Sequence, residues 1–300
     1  MAGDIELSII IPVWRGALPF LPTLLETIPQ NEDIEVIVVD NSKEPLVREE
    51  INSLRKIALM HSDTNCHAGG SRNAGVCAAK GKWIVFADAD DYFTREAFDT
   101  FYSMLSSDSD VIYTCAQGIY IDTGERSDRG DVYSKLIRDF LTGKKQEIEL
   151  RTGIPVPWCK MIKKSLIEKY NIRFDEIVAG NDIYFSLLVG YYAKKITAID
   201  VVTYIVTVSK GTLTKRADYE AIRARLYSKL HCNQFLKAHG LSNKQHSVMF
   251  ALARVRHYSF SQTLELIKMI IKFKQNPLIG MSNWMNTLMR RTQDKEYYTS

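Results

Sequence analysis

The chain has 300 residues, of which 46% are apolar and 25% are charged, and its net charge is +4. This composition excludes a disordered chain, and no apolar run approaches the ~18 residues that cross a bilayer. The five cysteines stand alone and are odd in number, which argues against a disulfide framework or a zinc site and favours a reducing, cytoplasmic location.

Short apolar runs alternate with helix-like segments through the first part of the chain. β-Branched runs bounded by polar turns predict buried strands at 7–13, 34–39, 83–87 and 111–115. Apolar or small residues at helical spacing predict helices at 18–28, 49–59, 71–80 and 95–105. Because strands that alternate with helices need crossover connections, we expect an α/β fold in which helices cover both faces of a mixed, mostly parallel sheet.

The C-terminal part of the chain differs in both pattern and charge. Strand signals stop at about residue 216, and helical periodicity marks 218–238 and 245–275. Residues 216–300 contain 14 Lys or Arg against 5 Asp or Glu, whereas residues 1–215 contain 25 against 30. We therefore expect an α/β domain over 1–215 and a basic helical domain over 216–300, with the boundary near 210–217.

The basic segment is open to more than one interpretation. It is either a solvated helical face or a surface for an anionic partner such as lipid headgroups or nucleic acid. Between 245 and 275, apolar residues alternate with Lys, Arg and His, which predicts a basic amphipathic helix. Such a helix rests on an anionic membrane or packs its apolar face on the first domain. Nucleic acid is disfavoured because the segment lacks a recognised motif and the first domain is acidic.

Three predicted strands end in polar or acidic residues. Pro12–Trp14 close the first strand, Asp40–Ser42 follow the second, and Asp88–Asp91 (Asp-Ala-Asp-Asp) follow the third. Ligands of open α/β sheets bind at the carboxyl ends of the strands. These segments therefore predict a binding site at one edge of the sheet.

The cluster after the third strand has three carboxylates, on Asp88, Asp90 and Asp91. Like charges this close repel one another, and a bound cation relieves the repulsion. Mg²⁺ and Mn²⁺ prefer oxygen ligands, and magnesium completes its coordination with water and substrate phosphate. The cluster therefore predicts a metal that bridges to a diphosphate, and the alternative is a solvated acidic turn before a helix that starts near Thr94.

Two further features are ambiguous by themselves. Asp40 either accepts a hydrogen bond from a nucleobase or belongs to a plain turn, because Asp-Asn-Ser is common in turns. Residues 65–75 combine small residues with Arg72, which pairs with a phosphate or an acid, or simply belongs to a tight loop before a helix. The loop lacks GxGxxG, which gives a dinucleotide-binding fold little support.

Six segments in order resemble one enzyme family. They are SIIIPVW at 8–14, EVIVVDNS at 35–42, NCHAGGSRNAG at 65–75, GKWIVFADADD at 81–91, WCKMIKKS at 158–165, and FDE at 174–176 followed by GNDIYF at 180–185. Together they resemble family 2 of the inverting glycosyltransferases, which has the GT-A fold. The resemblance covers roughly residues 7–205.

The resemblance implies a role for each matching position. Asp182 is the expected catalytic base. Asp90 is the expected main metal ligand, with Asp88 near the ribose and the metal, and with Asp91 in support. The other expected nucleotide-sugar contacts are Pro12, Val13, Trp14, Asp40, Asn41, Arg72 and Ala89, and the expected supporting residues are Asn181, Trp158 and Lys160.

The implied activity is a single displacement with inversion. A sugar moves from a nucleoside diphosphate sugar, expected to be a UDP-sugar, to a hydroxyl of a sugar or a lipid-linked glycan, with Mg²⁺ or Mn²⁺ as cofactor. Cell-surface polysaccharide or glycolipid synthesis is the implied setting. The donor half is expected at about 1–115 and the acceptor half at about 116–215, and the sequence is compatible with a homodimer.

Three positions depart from the residues that are usual in this family. Asn41 replaces a second acid after Asp40, His67 replaces a glycine, and Asn181 replaces a glutamate before the base. The amides leave open a nucleotide-sugar-binding protein without turnover, and Asn181 and Asp182 can also be read as caps of a helix at 183–193. A phosphotransferase that uses the Asp-x-Asp pair is disfavoured by Tyr92 and by the distance of the motif from the N-terminus.

Overall fold

The computed structural model describes residues 4–53, 55–208, 218–254 and 257–279. Within these ranges one sheet forms the centre of the molecule. Its strands are Leu7–Val13 (β1), Ile34–Asp40 (β2), Ala58–His61 (β3), Trp83–Phe86 (β4), Tyr92–Phe93 (β5), Val111–Tyr120 (β6), Arg126–Ser127 (β7), Lys160–Lys163 (β8) and Ile196–Val208 (β9). The helices are Leu21–Glu26 (α1), His67–Ala78 (α2), Ala97–Ser103 (α3), Asp131–Leu141 (α4), Glu147–Gly153 (α5), Lys164–Lys169 (α6), Asn181–Tyr192 (α7), Tyr219–Ala238 (α8), Met249–Leu252 (α9) and Phe260–Lys272 (α10).

The strand order is β3-β2-β1-β4-β8-β6-β9-β5, and β7 pairs with β6 outside this path. β1, β2, β3 and β4 are parallel to one another, so the ends of β1, β2 and β4 lie at one edge of the sheet. β8 is antiparallel to β4 and β6, and β9 is parallel to β6. The predicted mixed α/β sheet is confirmed, and the strand ends meet as parallel pairing requires.

Pro12 lies inside the sheet although proline cannot donate a ladder hydrogen bond. β4 pairs with β1 only as far as Ile10, and the Ile10 carbonyl points to the β4 side, where it accepts from the Ala87 N–H. Two residues later, Pro12 points to the same side, beyond the end of β4. The missing N–H therefore falls where no β4 residue needs it.

Two predicted helices differ from the structure. α1 begins at Leu21 and not at Leu18, because Pro22 fits only within the first turn of a helix. The helix predicted at 49–59 is wrong, since β3 takes up its last residues and pairs with β2. Before β3, the Arg48 guanidinium binds backbone carbonyls of 51, 53 and 55, and Arg55 binds those of 28 and 29. Arginine side chains thus replace the hydrogen bonds that a helix would have made.

α8 is shared by two apolar clusters. Cys232, Phe235 and Leu236 pack into the main core on the sheet. Leu226 and Leu230 pack in a smaller cluster with residues of α9 and α10. Within the described ranges, no helix is long and apolar enough to cross a membrane.

The segment predicted as one amphipathic helix at 245–275 contains two helices, α9 and α10. A new helix starts at Phe260 because Ser259 forms a capping box with Gln262. Ile270 is buried and packs in the smaller cluster with Leu226 and Leu230 of α8. Val255, Arg256 and the expected domain boundary at 210–217 lie outside the described residues.

Candidate active site

The acidic turn after β4 is held by the end of β9. The Asp88 N–H donates to the Tyr204 hydroxyl (2.8 Å). Thr207 binds the turn twice, since its hydroxyl donates to the Asp90 carbonyl (2.6 Å) and its N–H donates to Asp91 Oδ1 (2.7 Å). Asp91 is buried, whereas Asp90 is exposed and Asp88 is half-buried. The turn therefore presents two of its three carboxylates to a ligand.

The carboxylates of this turn disturb one another. Solvent reaches Asp90, but the surrounding protein removes part of its hydration, and this desolvation together with the charge of Asp88 raises its pKa. Burial, followed by the charges of Asp90 and Asp88, raises the pKa of Asp91 well above its usual range. A divalent cation between Asp88 and Asp90 would relieve this repulsion.

Arg72 on α2 connects the acidic turn to α7. Its buried guanidinium pairs with Asp88 Oδ1 and also donates to Asn181 Oδ1 (3.0 Å). The guanidinium carbon lies 5.4 Å from the centre of the Phe174 ring. The two terminal nitrogens of the Arg72 guanidinium thus bind Asp88, an expected metal ligand, and Asn181, the neighbour of the expected base.

Asp182 lies in the first turn of α7, directly after Asn181, and Gly180 before them has a left-handed backbone conformation. Burial raises the pKa of its carboxyl, while the positive charge of Arg72 opposes that rise. Within the described part of the chain, its carboxylate accepts no side-chain hydrogen bond, and it is half-buried. A carboxylate in this state is suited to take a proton from a bound group.

Asp40 serves the loop that follows β2. Its carboxylate accepts from the Ser42 N–H (2.9 Å), the Ser42 hydroxyl (2.5 Å) and the Leu46 N–H (2.8 Å), and His61 Nδ1 lies 3.2 Å from Oδ2. Burial would raise the pKa of Asp40, but the hydrogen bonds from Ser42 and Leu46 prevail and lower it. Both oxygens of the Asp40 carboxylate are engaged by residues of its own loop and by His61, and the expected contact with a base stays a prediction.

An open cleft of about 370 Å³ lies beside this loop at the ends of β1 and β2. Its walls are formed by Trp14, Arg15, Asn41, Ser42, Lys43, Glu44 and Thr64. The Trp14 side chain is 57% exposed, and its ring lies directly against Gly16, where a Cβ would come within 2.1 Å. Pro12 and Val13 are buried in β1 and do not line the cleft, so only Trp14 of the three expected contacts reaches it.

Trp158 and Lys160 are buried beneath the site rather than within it. The Trp158 ring stacks on Tyr204 at 5.5 Å, and so it supports the residue that binds the acidic turn. The Lys160 ammonium donates to the carbonyls of Ile154 and Val156, each at 2.7 Å. Burial lowers the pKa of Lys160 to about 8. Both residues are therefore scaffold, which fits a supporting role without ligand contact.

The structure shows the setting of two residues that depart from those usual in the family. His67 has φ 52°, a left-handed conformation that favours glycine and is strained for other residues. Asn181 is neutral where an acid is usual, but its carbonyl oxygen still accepts from Arg72. The charge of Arg72 is therefore not shared with a second carboxylate at 181.

A metal ion bound by the described residues would need further ligands from a substrate. No group of three or more His, Cys, Asp or Glu side chains among them could hold a metal ion. Ala89 is buried and Asp91 binds Thr207, which leaves Asp88 and Asp90. Magnesium commonly binds one or two protein carboxylates and takes its other ligands from water and phosphate. The raised pKa of Asp90 agrees with a cation site of that type.

Sequence patterns missed the residues that support these groups. Tyr204 and Thr207 lie on β9, more than a hundred residues after the turn that they bind. Phe174 was recognised only as part of a motif, although its ring packs on Arg72. No local signal marks such partners, because they meet only through the pairing of distant strands and helices.

The contacts of Asp40 predict a stability effect. Asp40→Ala removes the acceptor for two buried N–H groups, and the expected loss is about 3 kcal/mol at pH 7, measured by urea unfolding. Folding lowers the pKa of Asp40. Its contribution to the free energy of unfolding is therefore complete at a pH above the ordinary pKa of a carboxyl group, and it disappears as the pH falls through the lowered pKa. Asn41→Ala in the same loop is the control, with an expected change within about 0.5 kcal/mol. Equal stability of both variants would contradict the structural role.

Comparison with known proteins identifies the family of the chain. Residues 8–171 match the family model described as glycosyl transferase family 2. YibD, an uncharacterized glycosyltransferase of Escherichia coli K12, is 27% identical over 206 residues, which are 63% of this chain and 59% of YibD. A poly(ribitol-phosphate) beta-glucosyltransferase of Bacillus spizizenii is 25% identical over 277 residues, which are 86% of this chain and 41% of that protein. The chain thus spans less than two thirds of the length of these relatives.

Solved structures show the same fold. S. aureus TarS in complex with UDP-GlcNAc matches with a TM-score of 0.59 and 19% identity, over 89% of this chain and 80% of the TarS chain. A longer TarS structure gives a TM-score of 0.61 over 48% of its length. The expected GT-A type of fold is therefore confirmed, and the chain belongs to glycosyl transferase family 2.

Proposed function

We propose that the chain transfers a sugar from a nucleoside diphosphate sugar to an acceptor hydroxyl with inversion at the anomeric carbon. The observation that carries this proposal is the Arg72 bridge between Asp88 and Asn181. It connects Asp88, a proposed metal ligand, with Asn181, the residue directly before the candidate base Asp182. Separate groups for the leaving diphosphate and for the acceptor proton are what a single displacement needs.

Asp182 is the proposed catalytic base. The acceptor oxygen forms its bond to the anomeric carbon on the face opposite the diphosphate, while the bond from that carbon to the diphosphate oxygen breaks and its electron pair leaves with the diphosphate. The acceptor proton moves to the Asp182 carboxylate. Its raised pKa makes Asp182 a stronger base than an exposed carboxylate and closer to the pH at which proton transfer is efficient.

Asp88 and Asp90 are the proposed ligands of Mg²⁺ or Mn²⁺. Such an ion, when bound, neutralises charge on the departing diphosphate. Arg72 fixes the orientation of the Asp88 carboxylate through its ion pair. Thr207 and Tyr204 hold the backbone of the turn, so Asp88 and Asp90 need little rearrangement when the donor binds.

The cleft at Trp14 and Asn41 is the proposed base and ribose site. The exposed Trp14 ring offers a flat apolar surface for a base, and the Asn41 side chain offers both a donor and an acceptor. Asp40 acts indirectly by holding residues 42–46. An amide at 41 in place of a second acid suits a base that presents both a donor and an acceptor, as uracil does.

Relatives support a UDP-hexose as donor and a cell-surface glycan as product. TarS was solved with UDP-GlcNAc, and one relative is named as a beta-glucosyltransferase of poly(ribitol-phosphate). We propose a hexosyltransferase whose acceptor is a sugar or a lipid-linked glycan, acting in the cytoplasm. The division into domains at 1–215 and 216–300, and a homodimer, stay predictions.

The outer face of α10 supports a peripheral contact with an anionic membrane. Phe260, Leu264, Ile267 and Ile271 form a stripe of exposed apolar side chains at helical spacing. The exposed Lys268 and Lys272 lie on the same helix, and its only acid, Glu265, is paired with Arg223 on α8. An apolar stripe with lysines beside it is typical of a helix that lies in the headgroup region.

Asp182→Asn should reduce turnover at least about 100-fold, because an amide cannot take the acceptor proton. Turnover is measured as UDP release from UDP-glucose or UDP-GlcNAc with Mn²⁺, and donor binding by calorimetry should be unchanged. Wild-type kcat should rise with pH through the raised pKa of Asp182, since only the ionised carboxylate accepts a proton, and the variant should lack this rise.

Asp131→Asn is the matched control for this variant, because Asp131 occupies the first turn of another helix. It should keep full turnover. Unchanged turnover in Asp182→Asn would contradict the assignment of the base. Donor binding without UDP release in the wild type, across sugar and polyol-phosphate acceptors, would instead favour a binding protein without turnover.

Asp90→Ala should remove the metal-dependent part of UDP binding, because only Asp88 would remain as a protein ligand. We expect the gain in affinity on adding Mn²⁺, measured by calorimetry with UDP, to fall at least about tenfold. Asp99→Ala, which removes an exposed carboxylate from α3, is the control and should keep the full gain. An unaltered gain in Asp90→Ala would contradict the metal site.

Ile271→Glu should weaken binding to vesicles of phosphatidylglycerol and phosphatidylcholine, because it places a negative charge in the apolar stripe. Sedimentation at low salt should show a loss of at least about tenfold in affinity. Val132→Glu is the matched control, because Val132 is 66% exposed on α4. Equal binding by both variants, or no binding by the wild type, would contradict the membrane contact.

A further inference from the structure

The segment before Asp182, residues 174–180, has no regular secondary structure, and a hydrogen bond connects its two ends. The Asp175 N–H donates to the Asn181 carbonyl (3.2 Å), which joins the start of the segment to its end. On one side it lies against α2, where the Asn73 side chain exchanges hydrogen bonds with the Phe174 backbone (2.9 and 3.1 Å). A Cβ at Gly69 would come within 2.1 Å of the Asp175 carbonyl, so α2 packs directly on this backbone.

On the other side, α8 contacts both ends of the same segment. The Ser228 hydroxyl donates to the Gly180 carbonyl (2.8 Å) at the end of the segment. His231 Nδ1 lies 3.2 Å from Asp175 Oδ1 at its start. The His231 ring also stacks on Tyr184 of α7, with 3.6 Å between ring centres.

The Ser228 contact falls at the point that sets the direction of α7. Gly180 is the N-cap of α7 and has φ 75°. Its carbonyl accepts the first helical N–H, from Ile183, over a long 3.4 Å. The hydrogen bond from Ser228 is shorter than this backbone bond and adds a side-chain contact that orients the Gly180 peptide two residues before Asp182.

We propose that Ser228 and His231 are positioning residues for the catalytic base, so that α8 of the C-terminal helical segment takes part in the transfer reaction. They act through Asp182, and the inference therefore rests on its proposed role as base. They are the α8 side chains whose polar contacts reach the two ends of this segment, opposite the contacts from α2. The chemistry needs the acceptor hydroxyl within hydrogen-bond reach of the carboxylate, and a shift of about 1 Å can cost 10²-fold in rate.

A role in docking alone does not account for these contacts. Cys232, Phe235 and Leu236 already pack α8 into the main core. Ser228 is fully buried, and the polar contact that it makes goes to the carbonyl before Asn181 and Asp182. Asp175 is half-buried, and its buried Oδ2 has no hydrogen-bond partner in the described structure, so His231 is the side chain that pairs with its carboxylate.

The test compares Ser228→Ala and His231→Phe with the wild type of the full chain. His231→Phe keeps a ring on Tyr184 but removes Nδ1. UDP release from UDP-GlcNAc or UDP-glucose with Mn²⁺ gives kcat, and calorimetry with UDP gives the donor-site Kd and stoichiometry. Each variant should lower kcat about 10-fold or more, with Kd within about twofold, because the donor residues lie on the other side of Arg72.

Ser109→Ala is the matched control, because Ser109 is a fully buried serine that bonds Thr197 (2.8 Å) at the far end of β9. It should keep kcat. Ser228→Thr retains the hydroxyl and should restore more than half of the lost kcat. A loss of kcat in Ser109→Ala as large as in Ser228→Ala, or parallel losses of kcat and UDP stoichiometry, would overturn the inference.

Asp182→Asn, assayed beside these variants, separates the two proposals. Full turnover in Asp182→Asn would overturn the base assignment and this inference with it. An inactive Asp182→Asn beside fully active Ser228→Ala and His231→Phe would overturn the positioning role alone. Loss of kcat in all three, with UDP binding intact, is the result that supports both.

Discussion

The rest of the site depends on one buried guanidinium. Arg72 pairs with Asp88 on the acidic turn and with Asn181 at the start of α7, and the ring of Phe174 packs against it. Two elements far apart in the sequence are thereby fixed relative to each other. Because a planar guanidinium binds in defined directions, it holds geometry that a lysine at the same place could not.

On both sides of Arg72, the groups that it binds are supported by residues from distant parts of the sequence. On the leaving-group side, Tyr204 and Thr207 of β9 bind the backbone of the acidic turn and engage the buried Asp91. On the base side, α2 and α8 enclose the segment before Asp182. The polar groups that face a ligand can therefore remain strained by mutual repulsion, since the scaffold and not the ligand determines their positions.

The acidic and basic residues are divided between the two parts of the chain. The α/β part carries the excess of acids, three of them in the turn where a cation and a diphosphate would meet. The helical part carries the excess of bases, and the only acid of α10 is paired with Arg223 while its lysines stay exposed. α8 connects the two, since one set of its residues packs on α9 and α10 and another contacts the segment before Asp182.

The sequence by itself determined four strands, β1, β2, β4 and β6, and the shared edge where β1, β2 and β4 end, because apolar periodicity is local and parallel pairing puts strand ends together. The order of six motifs indicated the family. The resemblance to the family predicted one site for Asp88, Asp90, Arg72 and Asp182, and the structure connects Arg72 with Asp88 and with Asn181, the neighbour of Asp182. Only the tertiary structure decided that Asp40 serves its own loop, that Lys160 is buried scaffold and that 49–59 is not a helix. A carboxylate or ammonium looks the same in a motif whether it faces a ligand or a backbone carbonyl, and the difference arises only when distant segments pack and use up its hydrogen bonds.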